Sequence, residues 1–373
     1  LLPINTRVTK GRNEVASSIR QKIIDACSDA VVKIPTRWYV FELEVSGKAK
    51  KEGRSVLGLA ECIEVGGKLS MGEEDVIAAL VFLDGAALCL YFQAAAPHLV
   101  FTDPQAILSE VTEILNLGII DLHLIPSQYP LLSEHMAMVR KLRDQGLFNK
   151  KLVDIVCSKY RVNEEGKCSY SVDDFLSILQ HLLIIAPVCI NGEELFFIPS
   201  ILPTCKKIPS LAGELAPLVL LCRTRVIPLG MFSALVVALL FDKQLFALKN
   251  IIGYNAVRFE CKVGGGLVQL VEWHAWLTVH FNGHPSAAPH IRAAIHHAIA
   301  TVCRQRHLDT KQIVFTDGFF CPFKICESIP HHCEVSSSPH WLTCSVRPKV
   351  GCGPCSDDGM LAWLAAPDGE CGR

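Results

Sequence analysis

The sequence predicts an α+β protein with a helix-rich, winged-helix-like first half, a second half of alternating strands and helices, and a tail rich in cysteine and histidine. Apolar residues recur mostly at helical spacing up to residue 205, whereas shorter apolar runs divided by turns dominate residues 206–317. Half of the 373 residues are hydrophobic, which indicates an ordered chain with a substantial core. The formal net charge of −1 gives no support to a nucleic acid or an anionic membrane as partner.

Helices account for most of the predicted first half. In chain order we predict helices over 7–33 and 35–45, a charged loop or helix end over 48–54, a helix over 71–83, strands at 87–92 and 100–101, helices over 103–118, 131–145, 147–156 and 172–185, and a strand at 194–198. Three acidic residues, Glu73 to Asp75, precede an apolar run, as is typical of a helix N terminus. The order helix, strand, strand, helix over 71–118 favours a winged-helix-like arrangement.

A different pattern follows residue 206. We predict a strand over 217–223, a helix over 231–240, strands over 255–263, 267–272 and 275–281, and a helix over 289–304. The three glycines at 264–266 lie between two strands, which favours a tight turn over a phosphate-binding loop. This layout of strand, helix, meander and helix predicts a separate mixed unit with its boundary near 206–214.

The longest apolar stretch runs from Val226 to Phe241. It is interrupted by Pro228-Leu229-Gly230 and is shorter than the roughly 20 residues that a membrane-spanning helix needs. We therefore predict a buried helix and no membrane span. Residues 1–30 carry scattered basic residues without a continuous apolar core, so no signal peptide is visible and we expect a cytoplasmic protein.

Four motifs, in this order along the chain, resemble the COR domain that follows the Ras-like Roc GTPase domain in Roco proteins. They are Ile34-Pro35-Thr36-Arg37-Trp38-Tyr39, Leu80-Val81-Phe82-Leu83-Asp84-Gly85 with Leu90-Tyr91-Phe92, Val100-Phe101-Thr102-Asp103-Pro104-Gln105-Ala106-Ile107-Leu108, and Ile198-Pro199-Ser200-Ile201-Leu202-Pro203. The resemblance implies that 30–205 and 206–317 are the first and second halves of a COR domain. It also implies that 1–29 are the remnant of an upstream Roc-like domain or linker helix, and that 318–373 lie outside the COR pattern.

The resemblance implies a scaffold rather than an enzyme. In Roco proteins the COR domain couples the nucleotide state of the adjacent GTPase to dimerisation and signalling, so the implied partners are an upstream Roc domain in the same protein and a second copy of the chain. The nearest approach to a phosphate-binding loop, Gly67-Lys68, has Cys62 in place of the first glycine and Leu69 in place of the hydroxyl residue. We therefore expect no nucleotide within this chain and no catalytic residues.

The tail is the part of the sequence that carries the most candidate chemistry. Eight of the 17 cysteines lie between Cys303 and Cys371. Thiolate and imidazole are the ligands that hold zinc tetrahedrally, and we predict a structural zinc site. Its predicted ligands are Cys321, Cys326, His332 and Cys344, with His331 and Cys333 as alternatives to His332.

Two other interpretations of the tail stay open. Free thiols are the default in a reducing compartment, and disulfides are the third possibility. The competing functional class is an enzyme, for example a zinc-dependent hydrolase that uses the tail residues. Nucleophile-elbow and kinase signatures are absent from the sequence, and no glutamate stands out as a general base.

Overall fold

The computed structural model describes residues 21, 34–161, 170–213, 215–308, 313–319, 333–335, 342–344 and 362–364. It confirms the α+β class, with four separate antiparallel sheets among these residues. Apart from residue 21, the predicted helix over 7–33 lies outside the described residues.

The first half combines helices with two small sheets. Its elements are α1 (Thr36–Lys51), β1 (Val56–Gly58), α2 (Leu59–Lys68), α3 (Glu73–Gly85), β2 (Leu99–Phe101), α4 (Gln105–Ile119), α5 (Ile125–Gln128), a 3₁₀ helix (Pro130–His135), α6 (Met136–Gln145), β3 (Leu147–Phe148), α7 (Lys150–Arg161), α8 (Val172–His181), β4 (Ala186–Ile190), β5 (Glu193–Phe197) and a 3₁₀ helix (Pro199–Ile201). Strands β1 and β2 form one antiparallel pair, and β5 lies between β3 and β4 in the other sheet.

Helix α1 ends inside the charged segment, at Lys51, as the helix-end alternative predicted; lysines in its last turn interact favourably with the C-terminal end of the helix, and Lys48 reaches Glu61 at 3.4 Å. Two predictions for this half were wrong in detail. Residues 87–92 form turns and a single bridge from Leu90 to Phe101 rather than a strand, and the segment begins with Ala87 in a left-handed conformation with φ of 56°.

The second difference concerns the predicted helix over 147–156, whose first two residues instead form β3. Gly146 ends α6 in a left-handed conformation with φ of 66°, and the chain then enters the sheet beside β5. A Cβ atom at Gly146 would lie 2.7 Å from the carbonyl oxygen of Ile198. This turn therefore requires glycine both for its backbone angle and for its close approach to the backbone of Ile198.

The second half is built on a six-stranded antiparallel sheet. Its elements are β6 (Leu218–Cys222), α9 (Met231–Phe241), β7 (Phe246–Gly253), β8 (Ala256–Cys261), β9 (Leu267–Glu272), β10 (Trp276–Phe281), a 3₁₀ helix (Pro285–Ala287), α10 (Ala288–Gln305) and β11 (Phe315–Phe319), in the sheet order β11-β6-β10-β9-β8-β7. The predicted layout of strand, helix, meander and helix is confirmed. The structure adds β7 and β11, neither of which was predicted.

Helix α9 joins the two halves through a common core. It contacts β4 and the 3₁₀ helix at Pro199–Ile201 from the first half, and β7 and α10 from the second. One continuous cluster of buried side chains contains Phe197 of β5 together with Leu235 of α9 and Leu270 of β9. The predicted boundary at 206–214 falls in a segment whose described residues form neither helix nor strand.

Short described segments of the tail also have regular structure. Strands β12 (Cys333–Val335) and β13 (Leu342–Cys344) pair with each other, and residues 362–364 are helical. Trp363 is fully buried in the core of the second half. Its Nε1 donates a hydrogen bond of 2.9 Å to the carbonyl oxygen of Ala216, and its ring packs edge-on against Phe281.

We expect Trp363→Ala to destabilise the protein by about 3–5 kcal/mol, because it leaves a large cavity and removes the partner of a buried carbonyl. Chemical denaturation at equilibrium measures the change in free energy of unfolding. The control is Tyr39→Ala, which truncates an aromatic side chain that is 56% exposed and should change stability by at most about 0.5 kcal/mol. Equal effects of the two substitutions would contradict the anchoring of the tail by Trp363.

Candidate interaction surfaces

The described residues contain no group of three or more histidine, cysteine, aspartate or glutamate side chains that could hold a metal ion. Among them, no helix is long and apolar enough to cross a membrane. Of the predicted zinc ligands, Cys321, Cys326 and His332 lie outside the described residues, and for Cys344 only the backbone, in β13, is described. The zinc site therefore stays a prediction.

The first exposed apolar surface lies on α1. Tyr39 is 56% exposed and Leu43 is 50% exposed, one helical turn apart, while the opposite face of α1 buries Phe41 and Val45. We call Tyr39, Leu43 and the groove beside them the α1 surface. The groove has a volume of about 770 Å³ and is lined by Leu43, Glu44, Gly47, Lys48, Lys51, Glu52, Val65, Lys68 and Leu69.

Polar contacts fix both ends of α1. At its start, Trp38 Nε1 donates to Asp75 Oδ1 at 2.8 Å, and Arg37 pairs with the other oxygen of Asp75 at 3.0 Å. Just beyond its end, both terminal nitrogens of Arg54 donate to Glu61, at 2.8 and 2.7 Å. These hydrogen bonds lower the pKa of Glu61 to about 2. The α1 surface is therefore held on a rigid support.

The second exposed apolar surface lies at one end of the six-stranded sheet. Leu229 is 93% exposed in the loop that precedes α9, and Val226 of the same loop is also exposed. Trp273, 44% exposed, stacks on Trp276 in the turn between β9 and β10, with ring centroids 6.5 Å apart. The backbone N–H of Ile227 donates to the carbonyl oxygen of His274 at 3.1 Å, which joins the loop to the turn. We call Val226, Leu229, Trp273 and Trp276 the Trp273 surface.

Two polar groups accompany the Trp273 surface. Within the described part of the chain, the buried Nε1 of Trp276 has no hydrogen-bond partner, whereas Nε1 of Trp273 donates to Thr278 at 3.1 Å. Glu272 ends strand β9 beside this turn, and burial raises the pKa of its carboxyl group to about 7. A buried donor without a partner and a carboxyl group with a strongly raised pKa mark this turn as a candidate functional region.

A cleft of about 860 Å³ lies where α8 of the first half approaches α9 and α10 of the second. His181 and His297 face it from the two halves, and six alanines line most of its apolar wall. Methyl groups give a ligand few directional contacts, so we assign no ligand to this cleft.

A histidine–aspartate pair in the second half has a structural role. Arg292 Nε and His296 Nε2, both on α10, lie 2.6 and 2.7 Å from the two carboxylate oxygens of Asp317 on β11. Burial alone would raise the pKa of Asp317, but the hydrogen bonds and charges of His296 and Arg292 outweigh it and lower that pKa. Because α10 holds both carboxylate oxygens, the cluster pins edge strand β11 against the helix.

The sequence did not indicate the Trp273 surface. Tyr39 of the α1 surface lies in the first motif of the COR resemblance, which implies packing against a Roc domain or within the chain's own helices. Pro228-Leu229-Gly230 interrupts the apolar stretch before α9, and no pattern around Trp273 predicts a role for it. A leucine between proline and glycine is a signal of an apolar side chain carried by a turn. Its exposure, however, follows from how the loop lies against the turn at His274, which the local sequence does not encode.

Above neutral pH, Glu272→Gln should make the protein more stable relative to the wild type than it does at acidic pH. The folded carboxyl ionises near pH 7 and the unfolded one near 4.5, so between these values the folded state binds more protons and stability falls as pH rises. Below pH 4.5 the carboxyl is neutral in both states. We therefore expect the melting temperature of the variant minus that of the wild type to be larger at pH 8 than at pH 5.

The control for this measurement is Glu260→Gln on the neighbouring strand β8, where the carboxylate is half exposed and pairs with Lys249 at 3.3 Å. That variant should not gain stability as pH rises. A melting difference for Glu272→Gln that is the same at pH 5 and pH 8 would contradict the raised pKa.

Comparison with known proteins assigns no family. No protein-family model matches the chain, and no curated protein matches it.

Proposed function

We propose that the chain is a non-enzymatic, cytoplasmic scaffold of the COR type, which couples an adjacent Roc GTPase domain to dimerisation and signalling. Residues 30–205 would then be the GTPase-facing half, with a winged-helix-like arrangement over 71–118, and residues 206–317 the dimerising half. The observation that carries the proposal is the presence of one exposed apolar surface on each half, joined by a shared buried core.

The α1 surface fits the role of the GTPase-facing site. It lies on the first described helix, which follows residues 1–29 in the chain, so a domain connected at that end would be near it. Tyr39 and Leu43 offer apolar contact area, and Lys48, Lys51 and Lys68 border the groove. An apolar centre with a charged rim is the usual composition of a protein–protein interface.

The Trp273 surface fits the role of the dimer interface. Tryptophan is enriched among the residues that dominate binding energy, and Leu229 projects almost entirely into solvent. In a two-fold symmetric dimer the same patch on both copies meets itself, so one patch is sufficient.

Helix α9 supplies the connection between the two roles. The loop that carries Leu229 leads directly into α9, which contacts β4 of the first half. A displacement of the first half would therefore be transmitted by packed side chains to the base of the Trp273 surface. This is how a scaffold without a catalytic site could relate the state of one partner to the binding of another.

The combined substitution Leu229→Ser and Trp273→Ala should dissociate the dimer. Light scattering should give twice the monomer mass for the wild-type chain at tens of micromolar. Loss of a dominant interface residue raises the dissociation constant by about 30-fold or more, so the variant should be monomeric at that concentration. Leu229→Ser alone should leave the melting temperature close to that of the wild type, because Leu229 is almost fully exposed, whereas Trp273→Ala also removes the hydrogen bond to Thr278 and should lower it modestly without unfolding the protein.

The matched control substitutes the α1 surface, with Tyr39→Ala and Leu43→Ser. This variant should remain a dimer, because the proposal places these residues toward a different partner. A monomeric wild-type chain, or equal dissociation of both variants, would remove the Trp273 surface from the proposal.

A further inference from the structure

The tail hairpin places two cysteines opposite each other. Strands β12 and β13 pair antiparallel, with Cys333 directly facing Cys344, Glu334 facing Thr343 and Val335 facing Leu342. Of the alternatives weighed for the tail, it is Cys333, not a histidine, that stands beside Cys344 in this register.

The backbone geometry of such a pair suits a covalent crosslink. Residues directly opposite in an antiparallel ladder have Cα atoms about 5.5 Å apart at hydrogen-bonded positions and about 4.5 Å apart at the others. A disulfide spans Cα separations of roughly 4.4–6.8 Å. Both Cα separations lie within that range, and the non-hydrogen-bonded position, where opposite Cβ atoms are closer, better matches the Cβ separation of about 3.5–4.5 Å that a disulfide needs.

A crosslink would also stabilise the hairpin, which is short. Each of its described strands is three residues long, and an isolated two-stranded hairpin is marginally stable in water. Strand β12 lies against β11, the edge strand that Arg292 and His296 pin to α10. Closing the hairpin would therefore fix β12 beside edge strand β11.

We propose that Cys333 and Cys344 form a reversible disulfide that closes the tail hairpin under oxidising conditions. The co-reactant is a small-molecule disulfide of the glutathione class. The thiolate of one cysteine attacks a sulfur of that disulfide, forms a mixed disulfide and releases one small thiol. The second thiolate then attacks the cysteine sulfur of the mixed disulfide and releases the other small thiol. The two cysteines lose two electrons and two protons in total, and the small disulfide gains them.

This pairing competes with the predicted zinc site. A sulfur atom in a disulfide is no longer a thiolate, so oxidised Cys344 does not bind zinc. The proposal therefore gives Cys344 a thiol partner across the hairpin and makes the tail a redox-sensitive segment.

Peptide mapping of the full chain tests the proposal. The wild-type protein is equilibrated with oxidised glutathione, alkylated, and cut without reduction by a glutamate-specific protease and trypsin. Cleavage after Glu327, Glu334 and Lys349 gives the peptides 328–334 and 335–349, which carry Cys333 and Cys344 as their only cysteines. The expected product is the disulfide-linked pair of these two peptides. It should be at least about tenfold more abundant than any linkage of either peptide to Cys326, Cys352 or Cys355, because paired strands raise the effective concentration of one thiol at the other. Dithiothreitol should reverse it.

Two variants complete the test. Cys333→Ser should abolish the linked pair and leave Cys344 open to maleimide, whereas Cys352→Ser should leave the linked pair unchanged. A broad mixture of linkages to Cys344, or full alkylation of Cys333 and Cys344 after oxidation, would overturn the proposal. A bound zinc ion would also overturn the proposal. In that case the protein would bind one equivalent of zinc, the zinc would protect both thiols from oxidation, and Cys344→Ser would abolish the binding.

Discussion

The burial of helix α9 is the constraint on which the rest of the structure depends. Nine of its eleven residues are buried, so it has no face that water can solvate and other elements must cover it on all sides. Fully burying a large apolar side chain stabilises the protein by about 1.5–3 kcal/mol relative to leaving it exposed. Exposing α9 would forfeit this free energy for several side chains at once. The six-stranded sheet and α10 cover part of it, and β4 with the 3₁₀ helix at Pro199–Ile201 covers more. The two halves are therefore joined by the helix that neither could leave exposed.

Polar contacts then determine where the surfaces lie on this framework. Asp75 and Glu61 fix the two ends of α1, so the side of the helix that carries Tyr39 and Leu43 cannot turn inward. Ile227 ties the loop before α9 to the turn at His274, which brings exposed Leu229 to the same end of the sheet as Trp273. In both places a buried or half-buried polar contact holds an apolar side chain in solvent. Exposed apolar side chains that cluster in this way, rather than lying singly, are typical of interaction sites, which is why we interpret the surfaces as candidate binding sites.

Sequence patterns predicted the elements whose own residues determine them. The uninterrupted apolar run predicted α9. Short apolar or alternating segments separated by turns predicted β8, β9 and β10. Strand β7 was missed because its bulges between Leu248 and Gly253 disturb the alternation, and β11 because Asp317 and Gly318 interrupt its apolar pattern. The interaction surfaces and the facing of Cys333 and Cys344 depend on which segments meet in space. Only tertiary packing and strand register decide such pairings, so they were beyond a local pattern.

Hydrogen exchange of Leu235→Ala, compared with the wild type, tests most directly whether the two halves share one core. Leu235 is 1% exposed on α9, and its truncation should cost about 2–5 kcal/mol. If α9 joins the halves, amide protection should fall by a similar free energy in β4 and β5 of the first half and in β6 of the second. Loss of protection in β6 with unchanged exchange across Ala186–Phe197 would show that the halves open independently. The proposed coupling between the α1 and Trp273 surfaces would then have no structural basis.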